Sequence, residues 1–136
     1  MRQVNVVKNK CVQVSSNDII QSNVEDVNVM GDPLMLKHLF DILQKQNGGA
    51  FASVGAKERG GYVDFMLEMD KLDYRDIFVP SMENIPFMIC RQIVRENSES
   101  TNQRGCGIVA QPLAERGTLV TVTLAAPAKK ILSQKF

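Results

Sequence analysis

Val63, Phe65, Leu67 and Met69 alternate with Asp64 and Glu68, and this period of two constrains the fold more than any other feature of the chain. Successive side chains of a strand point to opposite faces, so the segment buries one face and wets the other. Val120, Val122 and Leu124, separated by Thr121 and Thr123, make the same demand with β-branched residues that suit a pleated surface. A one-sided strand needs a second layer to hide its apolar face, and two segments with helical spacing supply it. Leu36, Leu39, Phe40 and Leu43 recur at steps of three and four after Gly31-Asp32-Pro33. Asp32 serves there as an N-cap, and Pro33 occupies the first helical position, where its missing donor costs nothing. Gly48-Gly49 closes this helix after about 14 residues. Ile89, Cys90, Ile93 and Val94 lie on one side of a second helix, from about Pro86 to Glu96.

The remaining segments complete an α+β pattern. Val4, Val6, Val12 and Val14 alternate in a strand-like way and are followed by the turn-forming run Ser15-Ser16-Asn17-Asp18. Further strands are expected at Val27-Asn28-Val29, at Phe51 to Val54 and at Ile108-Val109-Ala110, with Gly55, Gly60 and Gly61 in a hairpin loop. Leu72 to Phe78 reads as a short helix or turn, Pro80 and Pro86 bracket a non-helical loop, and Ser98 to Gln103 reads as a polar loop. The expected architecture is a two-layer α/β sandwich with a mostly antiparallel sheet and both helices on one face. Leu36, Leu39, Phe40, Leu43, Ile89, Ile93 and Val94 form its expected packing set. Residues 1–126 make one domain and 127–136 a C-terminal tail.

Composition narrows the function classes. With 136 residues, 44% of them hydrophobic and 23% charged, the chain can bury a core without metals or disulfides. A net charge of +1 and the absence of tryptophan leave no basic-aromatic patch for nucleic acid and no field for anionic lipid. No apolar run reaches the roughly 18 residues of a membrane span, and the start lacks a secretory pattern, so a cytoplasmic setting is expected without membrane insertion by this segment. Cys11, Cys90 and Cys106 are odd in number and in no Cys-x-x-Cys spacing, which reads as structural thiols in a reducing compartment. Cys106, between glycines and near Arg104, is the one candidate for a reactive thiol. His38 is the only histidine. It excludes a metal site of two or more histidines and leaves no conventional catalytic triad without itself. As a phospho-acceptor it is out of place inside the first helix, where a partly exposed helical histidine is the simpler reading.

Three blocks carry a family resemblance over about residues 24 to 125. Asp32 to Gln46 resembles the segment that forms the asparagine-bearing helix of histidine-kinase ATP-binding domains. Ile77-Phe78 through Glu96 resembles the segment that contains their lid, glycine loop and following helix. Gly107-Ile108 and Gly117-Thr118 through Leu124 resemble their closing hairpin. The resemblance implies the Bergerat-type, histidine-kinase ATPase-like fold. The combination of Gln-Asn-Gly-Gly, Glu-Asn-Ile-Pro-Phe, Ile-Cys-Arg-Gln-Ile-Val-Arg and Arg-Gly-Cys-Gly is more closely similar to an uncharacterised C-terminal domain of bacterial multidomain sensor proteins with helical-repeat sensor regions. That similarity implies a signalling module of a longer chain.

The departures from the family point away from catalysis. The Mg²⁺-holding asparagine position falls on Asp41 or Ile42, and its companion on Lys45 or Gln46. Asp70 or Asp73 stands where an adenine-reading aspartate would, yet Glu68 to Asp76 holds no glycine to let the base approach. Asn84-Ile85-Pro86-Phe87 replaces the end of the glycine loop, and Pro86 removes a donor from the turn that would take phosphate. The resemblance therefore implies a pseudo-kinase, with no catalytic residue, no cofactor and no metal, that acts as a protein-interaction or signalling domain of a bacterial sensor or regulatory protein. Its partner would be another protein or the rest of its own longer chain. The alternative is an active ATP-binding histidine kinase or ATPase with an atypical site. Arg91 and Arg95, four apart on the second helix, share a face and with Arg104 form the candidate interaction surface. Met82, Ile85, Phe87 and Met88 are expected to fill the vacated pocket as core.

Overall fold

The structure, a computed structural model, describes residues 2–7, 12–15 and 26–127. Its first helix, α1 (Pro33–Gln46), begins as the sequence dictates, with the Asp32 carboxylate accepting a hydrogen bond from Leu34 N at 2.9 Å. The strands are β1 (Arg2–Val7), β2 (Gln13–Ser15), β3 (Asp26–Gly31), β4 (Ser53–Arg59), β5 (Tyr62–Met69), β6 (Gly107–Pro112) and β7 (Thr118–Ala125), with α2 (Ile85–Thr101) between β5 and β6. They form two antiparallel sheets, of order β2-β1-β3 and β4-β5-β7-β6. The protein is an α+β two-layer sandwich. The seven strands of the described residues divide into two sheets where the sequence suggested one, and the first valine run is two antiparallel strands, not one.

The alternation that opened the sequence reading sets the layers. Val63, Phe65, Leu67, Met69, Val120, Val122 and Leu124 are buried, together with Leu36, Leu39, Phe40 and Leu43 of α1. The rings of Phe40 and Phe65 meet edge-on, 5.5 Å apart, which seats α1 on β5. On α2 the buried residues are Phe87, Cys90, Ile93, Val94 and Asn97. Ile89, expected in the core, is 41% exposed, because the buried stripe of α2 centres on Cys90, Val94 and Asn97 and leaves Ile89 at its rim.

Other boundaries differ from the sequence reading for local reasons. The helix α2 runs through Ser98 to Thr101, read as loop, because the Thr101 hydroxyl bonds back to Asn97 O at 2.8 Å and Asn97 Nδ2 donates to Met30 O of β3 at 3.1 Å. It stops at Asn102, in the left-handed conformation (φ 56°). The strand β4 lies later than Phe51–Val54 and includes Gly55, which pairs with Met66. Only Gly60 and Gly61, at φ 54° and 89°, make the two-residue hairpin turn. The tail from Lys129 and the thiol of Cys11 lie outside the described residues. No helix of the described residues is long and apolar enough to cross a membrane.

Candidate functional site

Two regions of the surface bear on function: a corner where the loop after β5 meets the start of α2, and a groove along the free edge of β6.

The corner is built around a buried asparagine. Between Asp70 and Asn84 the chain is irregular, yet Leu72 and Ile77 are buried in the core, and the Thr118 hydroxyl donates to Leu72 O at 2.8 Å. Asn84, 3% exposed, closes this loop: its Nδ2 donates to the carbonyls of Asp76 (3.1 Å) and Val79 (2.9 Å), and its Oδ1 accepts from Arg75 Nη2 at 3.0 Å. The Arg75 guanidinium lies 5.9 Å from the centroid of the Phe87 ring, and that ring is fully buried. Arg75 Nε is buried without an acceptor; the Glu83 carboxylate stands 3.8 Å away, beyond hydrogen-bond reach. Pro86 lies within the first turn of α2, after a single 3-10 turn over Met82–Asn84. A phenyl ring, a guanidinium and a satisfied amide thus occupy the approach to the start of α2.

The other positions aligned with a nucleotide site do not converge on one point. Asp41 is on the exposed side of α1 and pairs with Lys37 at 2.6 Å. Ile42 is half-buried against the core, and Gln46 is half-buried at the helix end with Lys45 exposed beside it. Asp73 pairs with Arg116 at 3.1 Å. Asp70, exposed, accepts from Asn47 Nδ2 at 3.2 Å. Asn47 itself is fully buried: the same Nδ2 donates to Ala50 O at 2.9 Å, and Oδ1 accepts from Lys71 N at 2.9 Å. Its amide ties the end of α1 to the end of β5, an arrangement that leaves it committed to the backbone. His38 is exposed, and among the described residues no three His, Cys, Asp or Glu side chains come together as a metal site.

The expected core filling by apolar residues is only half realised. Phe87 is fully buried and Met88 half-buried, but Met82 is 87% exposed and Ile85 49%. The correction has a simple cause: the 3-10 turn and the first helical turn lie on the surface, and Asn84, not a hydrophobe, reaches inward. Cys106 follows the structural-thiol expectation rather than the reactive one. It is half-buried, and burial pushes its thiol up rather than toward thiolate. Cys90, fully buried with Sγ 3.9 Å from Leu39 O, is pushed up to about 12 by burial.

The second region is a groove of about 300 Å³ between α2 and the start of β6, lined by Arg91, Val94, Arg95, Cys106 and Ile108 with Ser98 and Glu99 at one end. Helical spacing places Arg91 and Arg95 together along its wall. Arg91 is half-buried with its guanidinium 5.6 Å from the Phe78 ring centroid, and Arg95 is exposed. Arg104, the third candidate, sits exposed on the turn before β6 and does not line the groove. A larger concavity, about 950 Å³ between the β4–β5 turn and the end of β7, is lined by Met30, Thr101, Gln103 and Pro127 among others, with Glu58 and Arg59 as its ionisable side chains. No protein family and no curated protein matches the sequence.

Proposed function

We propose that the chain is a non-catalytic relative of the histidine-kinase ATP-binding domains, working as a protein-interaction or signalling module of a bacterial sensor or regulatory protein in the cytoplasm. The partner is a protein, or another part of a longer chain to which this module belongs. The observation that carries the reading is Asn84. At a position the resemblance aligns with the glycine loop, its side chain gives both amide hydrogens to the loop Asp76 to Val79 and accepts from Arg75. Phosphate recognition needs the opposite, a concavity of unsatisfied backbone N–H groups at a helix start. The scatter of Asp41, Ile42, Gln46, Asp70 and Asp73 supports the same conclusion, since metal and adenine ligands must converge.

Calorimetric titration of a non-hydrolysable ATP analogue, with and without Mg²⁺, tests the proposal. The expected result is no saturable heat up to ~1 mM analogue. Saturable binding that requires Mg²⁺ and is abolished by Asn84→Ala would instead support an active, atypical ATPase or kinase.

A further inference from the structure

We propose that the free edge of β6 receives an extended acidic segment of a partner protein as a fifth strand, with Arg91 and Arg95 reading its carboxylates. This deepens the proposed function and rests on the domain acting by contact.

The backbone register shows what the edge offers. Leu113 N donates to Gly117 O at 3.1 Å, and the ladder between β6 and β7 continues from there as Gln111↔Leu119, Val109↔Thr121 and Gly107↔Thr123. In an antiparallel pair the hydrogen-bonded positions alternate, so Ile108 and Ala110 turn their N–H and C=O groups away from β7. Among the described residues nothing pairs with them. Pro112, which follows in the same phase, has no N–H to lose there.

The two edges of the four-stranded sheet are protected differently. Along β4, Lys57, Glu58 and Arg59 stand in succession, the sort of charge that keeps an edge from pairing with another chain. The sequence of β6, Gly-Ile-Val-Ala-Gln-Pro, carries no charge at all. Its charge comes from across the groove. The chain reverses between Asn102 and Cys106, so α2 runs antiparallel to β6, with Ser98 and Glu99 beside Cys106 and Arg95 and Arg91 further along. Among the described residues no carboxylate lies within ion-pair distance of either arginine. A strand added here would gain main-chain bonds from Ile108 and Ala110, and every second side chain would point into the groove, where Val94 and Ile108 offer apolar contact and the arginines offer charge. The lone Glu99 at one end disfavours a carboxylate there and so fixes which end of the segment is acidic.

The test uses two amide-capped peptides, one of alternating valine and glutamate and one of alternating valine and lysine. Fluorescence anisotropy gives affinity, and amide NMR of the labelled protein gives location. The glutamate peptide is expected to bind at least about tenfold more tightly than the lysine peptide at low salt, slowing hydrogen exchange at Ile108 and Ala110. The variant Arg95→Glu, at the exposed arginine, is expected to cut that preference at least about threefold while keeping its melting temperature. Equal affinity for both peptides, no binding up to ~1 mM, or binding that leaves the Ile108 and Ala110 amides unprotected would overturn the proposal. Protection at another surface would reject this edge while leaving an interaction module standing. Mg²⁺-dependent nucleotide binding would reject the non-catalytic reading without touching the edge.

Discussion

The corner around Asn84 and the edge along β6 flank the same helix, yet one turns most of its hydrogen-bonding groups inward and the other keeps them outward. At the corner, Asn84 donates to two carbonyls and accepts from the Arg75 guanidinium, which in turn covers a buried phenyl ring while its Nε stays without an acceptor. At the edge, backbone groups of Ile108 and Ala110 have no partner among the described residues, and the groove beside Ile108 is lined by Arg91 and Arg95, neither of them ion-paired among the described residues. The difference teaches where energy is stored and where it remains available. Satisfied buried groups stabilise the fold and resist ligands, whereas unsatisfied but hydrated ones cost little and can still bind.

Substitutions should separate the two regions by size of effect. Phe87→Ala removes a fully buried ring and should cost about 3–5 kcal/mol in urea-induced unfolding; a loss below that range would mean the corner is not packed as described. Asn84→Ala leaves the carbonyls of Asp76 and Val79 and Arg75 Nη2 without their partner, an expected loss of about 1–3 kcal/mol for such a site, read from the same unfolding curves. A smaller, pH-dependent effect comes from the wet face of the sheet. The Arg59 guanidinium bonded to Asp64, with help from the Thr123 hydroxyl, holds the Asp64 carboxyl below the usual carboxylate range. Because the folded value is the lower one, this pair stabilises above the unfolded value of about 3.9 and the contribution disappears as pH falls through the folded value. Asp64→Asn should therefore flatten the acid limb of a stability-versus-pH curve, and added salt should do part of the same to the parent protein. Smallest of all, Arg95→Glu on the exposed wall of the groove should change stability by no more than about 0.5 kcal/mol, so that any change in partner binding reports the surface alone.

How much of this was legible in the sequence depended on whether the cause was local. The helix α1 was fully readable, since Asp32, Pro33 and the spacing of Leu36, Leu39, Phe40 and Leu43 all act within a few residues of one another. The end of α2 was not, because what extends it is the bond from Asn97 to a carbonyl of β3, 67 residues away. Ile89 misled for a related reason: periodicity gives the face of a helix but not the angle at which the sheet meets it. At the corner, the sequence marked Asn84 and Pro86 as departures from a binding loop, and the structure gives Asn84 its role as a closing bond. Arg75 went unseen, since nothing in its neighbours announces that the chain returns Asn84 and Phe87 to it. Along the edge, four-residue spacing placed Arg91 and Arg95 together, while Arg104 was joined to them by nearness in sequence and the turn before β6 holds it elsewhere.

Hydrogen exchange resolved by residue, on the chain alone and with Mg²⁺ and an ATP analogue added, tests the contrast between closed corner and open edge most directly. The account predicts that the Asn84 amide, which donates to Ser81 O at 3.1 Å, and those of the first full turn of α2 exchange far more slowly than the amides of Ile108 and Ala110, with nucleotide changing neither set. Rapid exchange at the corner that nucleotide then slows would contradict it, for it would mean that the corner opens and binds nucleotide.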